Sequence, residues 1–310
     1  MIALILMHCL LLRIQKDGIA AALAKHNNSR LPNCTYIAGC VKWISAIGKG
    51  CRLLMARLAK NQGPREILAL VVARADPAHV EIAGVDTATN TWIRAAGATG
   101  ERCFTPDQLV LPGDSHLQTL DTLRVTTATP APQMPFVETA IVDCGTGLVR
   151  TGHIEERAMS RTLAALATPH LDTLLPTGKR VLTVKDFQPG GRQRSIAMIR
   201  PDQLQHIHFS YVNEDVRVGV SFRHRGQAYG GPTGLPCPDI KLRAFARDAL
   251  RKAGTLTITL DGRACYSRFV SPRIYLTIGL VAGDEGTFWP QVLGFHPIRE
   301  YRASVDYGRL

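Results

Sequence analysis

The stretch EILALVVARADPAHVEIAGVDTATNTWIRAAG, residues 66–97, constrains what this chain can fold into more than any other. Three strand-length runs, ILALVVA (67–73), VEIAGVD (80–86) and TWIRAAG (91–97), are separated only by the turn-forming links ADPAH and TATN. Short runs of β-branched and aromatic residues bounded by Asp, Pro and Asn read as strands. The first two are apolar enough to be buried, and the third carries Trp92, Ile93 and Arg94 into a turn. This is the opening of a small twisted β-barrel, and no catalytic signature accompanies it.

The rest of the chain repeats that grammar. NQGP (61–64) reads as a turn and a domain boundary. LRVTTA (123–128) is a strand, MPFVETAIVD (134–143) an edge segment, and HIEERAMSRTLAALA (153–167) a helix with acids in its first turn. A second unit opens with KRVLTVKDF (179–187), the turn QPGG and SIAMIRP (195–201). LQHIHFSYV (204–212) and DVRVGVSFRHRGQAYG (215–230) alternate with period two, as half-buried strands do. CPDIKLRAFARDALRKAG (237–254) reads as a helix capped by Asp239 and ended by Gly254, and RIYLTIGL (273–280) and FWPQVLGFHPI (288–298) close the unit. The expected fold is therefore mainly β with interposed helices (a β-barrel, α+β chain): barrel one over 66–178, barrel two over 179–310, after a helical arm over 1–65.

Charge divides the chain in the same places. The net charge is +12, but residues 66–175 hold seven Lys/Arg against thirteen Asp/Glu, with no lysine. Both flanks are strongly basic, so a polyanion-binding surface is expected in the last third or on the arm. In the arm, Ile37, Val41, Ile44, Cys51, Met55 and Leu58 mark one helical face opposite lysines and arginines, which suits a basic surface helix. The opening run MIALILMHCLLL is too short to span a bilayer and has no cationic segment before it, which argues against a membrane span and a secretory signal. It reads as a short buried or interfacial helix, or as translation from a start codon upstream of the true one. Eight cysteines without a CxxC pair or a disulfide ladder point to reduced thiols in the cytoplasm.

The order of motifs resembles a prokaryotic family of tandem OB-folds, the dual OB-containing domain. In the first barrel the resemblance rests on ILALVVA, on Ala83-Gly84 in the second strand, and on Trp92-Ile93-Arg94. It continues with Leu120-Asp121 and with Pro135-Phe136-Val137-Glu138. In the second it rests on Phe222-Arg223-His224-Arg225-Gly226 with Tyr229, on Asp239, and on Tyr275-Leu276. It spans about 66–280 and says nothing of the arm. ADPAH is shorter than the family's first loop, and AAG after Arg94 departs from its pattern. The resemblance implies nucleic-acid binding by analogy with other OB-folds, a setting in bacterial conflict systems, and no established catalysis.

An OB barrel holds single strands by stacking bases on aromatic rings and tracking phosphates with cations. Arg192, Arg194, Arg217, Arg223 and Arg225, with Tyr211 and Tyr229, are the candidate surface. Arginine suits it because its planar fork takes phosphate bidentately. Period-two alternation equally explains these arginines as an ordinary solvated sheet face. Ala83, Gly84, Trp92, Arg94, Asp121, Glu138, Phe222 and Asp239 are expected to be structural, with Trp92 in the core and Arg94 snorkelling beside it. His206 and His208 share a strand face but find no third ligand nearby, so neither metal nor cofactor is expected. His153 with Glu155 or Glu156, and Asp143 beside Cys144, are capable of acid–base work but have no recognisable partner. Two functions stay open: a single-stranded RNA- or DNA-binding protein working through the basic second barrel, and a protein-interaction module docking through the acidic first one.

Overall fold

The computed structural model of the chain describes residues 63–76, 78–97, 104–111, 115–130, 135–142, 148–171, 174, 181–187, 194–271, 273–303 and 305. The expected helical arm, the turn QPGG and Arg192 lie outside the described residues.

The first unit is built on β1 (Gly63–Asp76), β2 (His79–Asp86) and β3 (Trp92–Ala96). A short 3-10 helix (Pro106–Leu109) follows, then the small hairpin β4 (Val110–Leu111) and β5 (Ser115–His116). β6 (Asp121–Pro130), β7 (Thr139–Val142), β8 (Val149–His153) and α1 (Glu156–Leu166) complete the unit. Ladder pairing runs β1–β2–β3–β7–β6 and returns from β6 to β1, a closed ring of five strands in which only β3 and β7 are parallel. That is a five-stranded Greek-key barrel. Its interior is filled by Ile67, Ala69, Val72, Ile82, Ile93 and Val125, with Leu109, Leu111 and Leu117 from the β3–β6 connection packed against them. Two expectations change here. Gly63 and Pro64, read as part of a turn, already pair with Thr127 and Thr126. The segment read as an edge, β7, is bonded on both sides and closes the ring.

The second unit comprises β9 (Leu182–Thr183), β10 (Ile196–Ile199), β11 (Gln203–Val212), β12 (Asp215–His224), β13 (Gln227–Tyr229) and β14 (Leu235–Pro236). Then come α2 (Ile240–Ala253), β15 (Thr257–Asp261), α3 (Gly262–Arg268), β16 (Ile274–Ala282) and β17 (Thr287–Pro297). It forms two curled sheets, β10–β16–β17–β9 and β13–β12–β11–β15, with β14 added to β12. They enclose one core that includes Phe209, Phe222, Leu242, Leu276 and Phe295. The curl is OB-like, but among the described residues the ladders do not close into a ring. The segment expected as strand 179–187 supplies only Leu182–Thr183 before a 3-10 turn. α2 forms as its sequence demands: the Asp239 side chain accepts from Leu242 N, and Gly254 ends the helix at φ 63°.

The units share a wall. Residues 67–73 of β1 are all buried, because one face fills the barrel while Leu68, Leu70 and Val71 face the second unit. β16 is the counterpart: Leu276, Ile278 and Leu280 point into the second core, and Tyr275 meets Leu68 and Leu70. Continuous apolar runs are what two-sided burial requires.

Candidate nucleic-acid interface

Pairing register decides which side chains share a surface. In β12, Val216, Val218, Val220 and Phe222 face the core, while Arg217 and Arg223 face outwards opposite Ser210 and Gln203 of β11. Tyr211 pairs with Val216, and Tyr229 pairs with Phe222. Both tyrosines therefore belong to the face opposite the arginines. The Tyr229 ring stacks on Phe222 with centroids 5.1 Å apart, and its hydroxyl donates to Gln227 Oε1 at 3.0 Å. Tyr211 is exposed at the far end of β11.

The arginines are also divided among themselves. The segment after β13 crosses the outer face at its centre: Ser221 Oγ donates to Gly231 O at 2.6 Å, and His206 Nε2 lies 2.9 Å from Pro232 O. A Cβ on Gly219 would stand 1.8 Å from Thr233 O, so only glycine admits this crossing. Six residues of strand, about 20 Å, separate Arg217 from Arg223 on its two sides. Arg225 does not continue the face, because β12 ends at His224. Arg225 and Gly226, at φ 51° and 78°, form a two-residue hairpin turn of the kind that needs positive φ at both positions. There the Arg225 guanidinium donates to His170 Nδ1 at 3.2 Å beside a hollow of about 420 Å³. Arg194 is exposed just before β10.

Arg217 enters a different and better-formed place. A cleft of about 600 Å³ lies where the end of β1 and β2 meets β12, β14 and β17, lined by Arg74, Glu81, His208, Arg217, Arg243 and Gln291 among others. The Arg217 side chain makes no hydrogen bond or ion pair with any described residue. Arg74, from the acidic first unit, and Arg243, from α2, both donate to Asp215 Oδ1, each at 2.6 Å. Burial pushes the Asp215 carboxyl up, but Arg243 and then Arg74 outweigh it and hold it below its usual range. On β17, Trp289 lies across the ladder from Val281, another cleft residue, and shares a strand face with Gln291. At 46% exposure it is an aromatic surface beside a cationic cleft. Arg74, Arg243, Asp215 and Trp289 are not among the sequence candidates; the first three meet only through tertiary packing, and no local spacing announces any of the four.

The family-motif residues hold the two units together. Arg94, expected to snorkel, is 1% exposed. Its guanidinium pairs with Glu81 and donates to Ser195 O at 3.0 Å and Leu280 O at 2.9 Å in the second unit. It stands over the Phe136 ring at 5.0 Å. A Cβ on Gly279 would lie 2.7 Å from Arg94 Nη2, so glycine makes room for that head group. Glu138 accepts from Ser195 N at 2.9 Å and Ser195 Oγ at 2.7 Å, and burial raises its carboxyl pKa despite those bonds. Asp121 accepts from Gln118 N and Arg150 and faces His153 Nδ1 at 2.9 Å; His153 Nε2 in turn faces Glu300, which pairs with Lys241. Asp239 also accepts from Phe295 N at 3.0 Å, and burial lifts its pKa to about 6. Ala83 is buried in the shared wall, Trp92 packs half-buried beside it, and Gly84 lets β2 lie against Leu68 O. His208 Nδ1 is taken by Thr259, and among the described residues no three His, Cys, Asp or Glu side chains gather as metal ligands.

The fold and the cleft define a protein of paired, curled β-units with three arginines lining a cleft at their junction. The chain matches the family model of the dual OB-containing domain over residues 67–263 and belongs to that family. No curated protein is similar enough to count as a match. No helix among the described residues is long and apolar enough to cross a membrane.

Proposed function

We propose that the chain binds single-stranded RNA or DNA, with the inter-unit cleft as the principal contact and the exposed Arg194, Arg223 and Arg225 as outlying ones. The observation that carries this reading is Arg217, a guanidinium without a partner, in a nucleotide-sized cleft that also holds Arg74 and Arg243. Clefts of 300–1,000 Å³ hold ligands of that size, and the unpaired fork of Arg217 is free to take a phosphate. Trp289 offers the stacking surface that the two tyrosines, turned to the other face, do not offer beside Arg217.

Fluorescence anisotropy with a labelled oligonucleotide of about 12 residues tests the reading. Binding should weaken with salt at a log–log slope of about −0.7 per phosphate neutralised. Arg217→Ala should weaken binding and make that slope shallower by nearly one phosphate, whereas Trp289→Ala should cost about 1–3 kcal/mol with the slope unchanged. A folded wild-type protein that binds no oligonucleotide at about 50 mM salt would sink the proposal and return attention to a protein partner.

A further inference from the structure

Two of the arginines that line the cleft already hold a competitor for an anion, the neighbouring Asp215. Arg74 and Arg243 come from different units, and both aim at one oxygen, Asp215 Oδ1, at 2.6 Å each. Two guanidiniums converging on a single oxygen are the arrangement a phosphate receives. Asp215 can leave this position more easily than a core carboxylate. Its side chain is 37% exposed. It stands at the foot of the two-residue turn Asn213-Glu214, whose φ values of 50° and 64° mark a hairpin tip. Arg217 lines the same cleft without a partner, so two of the three arginines are held by a carboxylate while the third is open.

We infer that the cleft is a phosphate subsite in which Asp215 is the resident counter-anion, displaced from Arg74 and Arg243 when a phosphate engages Arg217. The inference rests on the nucleic-acid reading for its natural ligand, a phosphodiester, but the exchange itself concerns any phosphate. Arg217 gives the incoming anion its first hold, and the two released guanidiniums then add theirs while Asp215 swings into solvent. The resident charge sets a threshold. It disfavours weak or singly charged anions and favours ligands able to contact all three arginines together. Removing that charge eliminates a repulsion acting over several ångströms in a half-wet cleft, worth about a 3- to 10-fold gain in affinity.

The test compares the full chain with Asp215→Asn, Arg217→Ala and the double variant, using pyrophosphate by calorimetry and the labelled oligonucleotide by anisotropy. Asp215→Asn should bind pyrophosphate about 3- to 10-fold more tightly, and adding Arg217→Ala should cancel most of the gain. A folded Asp215→Asn protein with equal or weaker pyrophosphate affinity overturns the inference. Should that variant fail to fold, Arg217→Ala decides: a clear loss of pyrophosphate affinity supports the subsite, and an unchanged affinity overturns it. The two readings separate cleanly. Pyrophosphate binding no tighter in Asp215→Asn, with the oligonucleotide still bound, removes the exchange and leaves nucleic-acid binding standing. Pyrophosphate binding that depends on Asp215, with no oligonucleotide binding, does the reverse.

Discussion

Replacing Arg94 with methionine should be among the most damaging single changes to stability in the described part of the chain. The side chain is 1% exposed and its guanidinium serves three acceptors at once: Glu81, Ser195 O and Leu280 O. Methionine fills much of the same volume but supplies no donor. Glu81, itself buried, keeps a charge with no counter-ion, and Leu280 O loses a donor from across the junction. Breaking one partner out of a buried ion pair costs about 3–5 kcal/mol, chiefly from the charge left behind. For a unit of this size each kcal/mol lowers the melting temperature by about 2–4 °C, so the loss should be about 6–20 °C. Urea melts should show a lower midpoint with an unchanged slope if the native state stays compact. The reasoning makes a sharper demand on the pair. Arg94→Met with Glu81→Met removes both charges and should cost clearly less than the two single changes added together. A single-variant loss below about 1 kcal/mol, or strictly additive singles, would refute the claim that this ion pair is a buried and coupled lock.

Two further outcomes follow from the same junction. Gly279→Ala places a methyl 2.7 Å from Arg94 Nη2 and 2.3 Å from Leu293 Cδ1, and should destabilise by about 1–3 kcal/mol in thermal melts, whereas Gly226→Ala meets no atom and should cost only its unfavourable φ. Asp239 has a folded pKa of about 6 against a usual 3.8. Burial disfavours the ionised carboxylate, so the contribution of the neutral carboxyl is fully present below about pH 4 and is lost as pH rises through about 6. The stability of wild type minus that of Asp239→Asn, followed by urea melts from pH 4 to 7, should therefore fall by up to about 3 kcal/mol; parallel curves would count against it.

Period and capping carried the sequence reading where the physics is local. The alternation in Val216–Phe222 fixed which residues face the core, and the Asp239 and Gly254 signals located α2 almost to the residue, because caps and pleats depend on neighbours only. The run 67–73 was legible as buried, though not that its two faces serve two different cores. The site was less legible. Tyr229 lies near Arg223 and Arg225 in sequence, yet the hairpin at Arg225-Gly226 folds it back against Phe222 on the other face. Arg94 belongs to a half with excess acid, and its role appears only when Ser195 and Leu280 arrive from the other unit. Arg74 and Asp215 stand 141 positions apart, a pairing that no local pattern encodes.

The two-sided burial of β1 has a consequence for the order of synthesis. Arg94 meets the carbonyl of Leu280 186 residues further along, and the outer face of β1 waits for β16 over a comparable stretch. At about 5–20 residues per second, the first barrel can close its ring once β7 ends at Val142 and still wait about 7–28 s for Leu280 with an apolar wall and a half-served guanidinium exposed. A nascent chain of this protein is thus vulnerable in its first half until its last strands emerge.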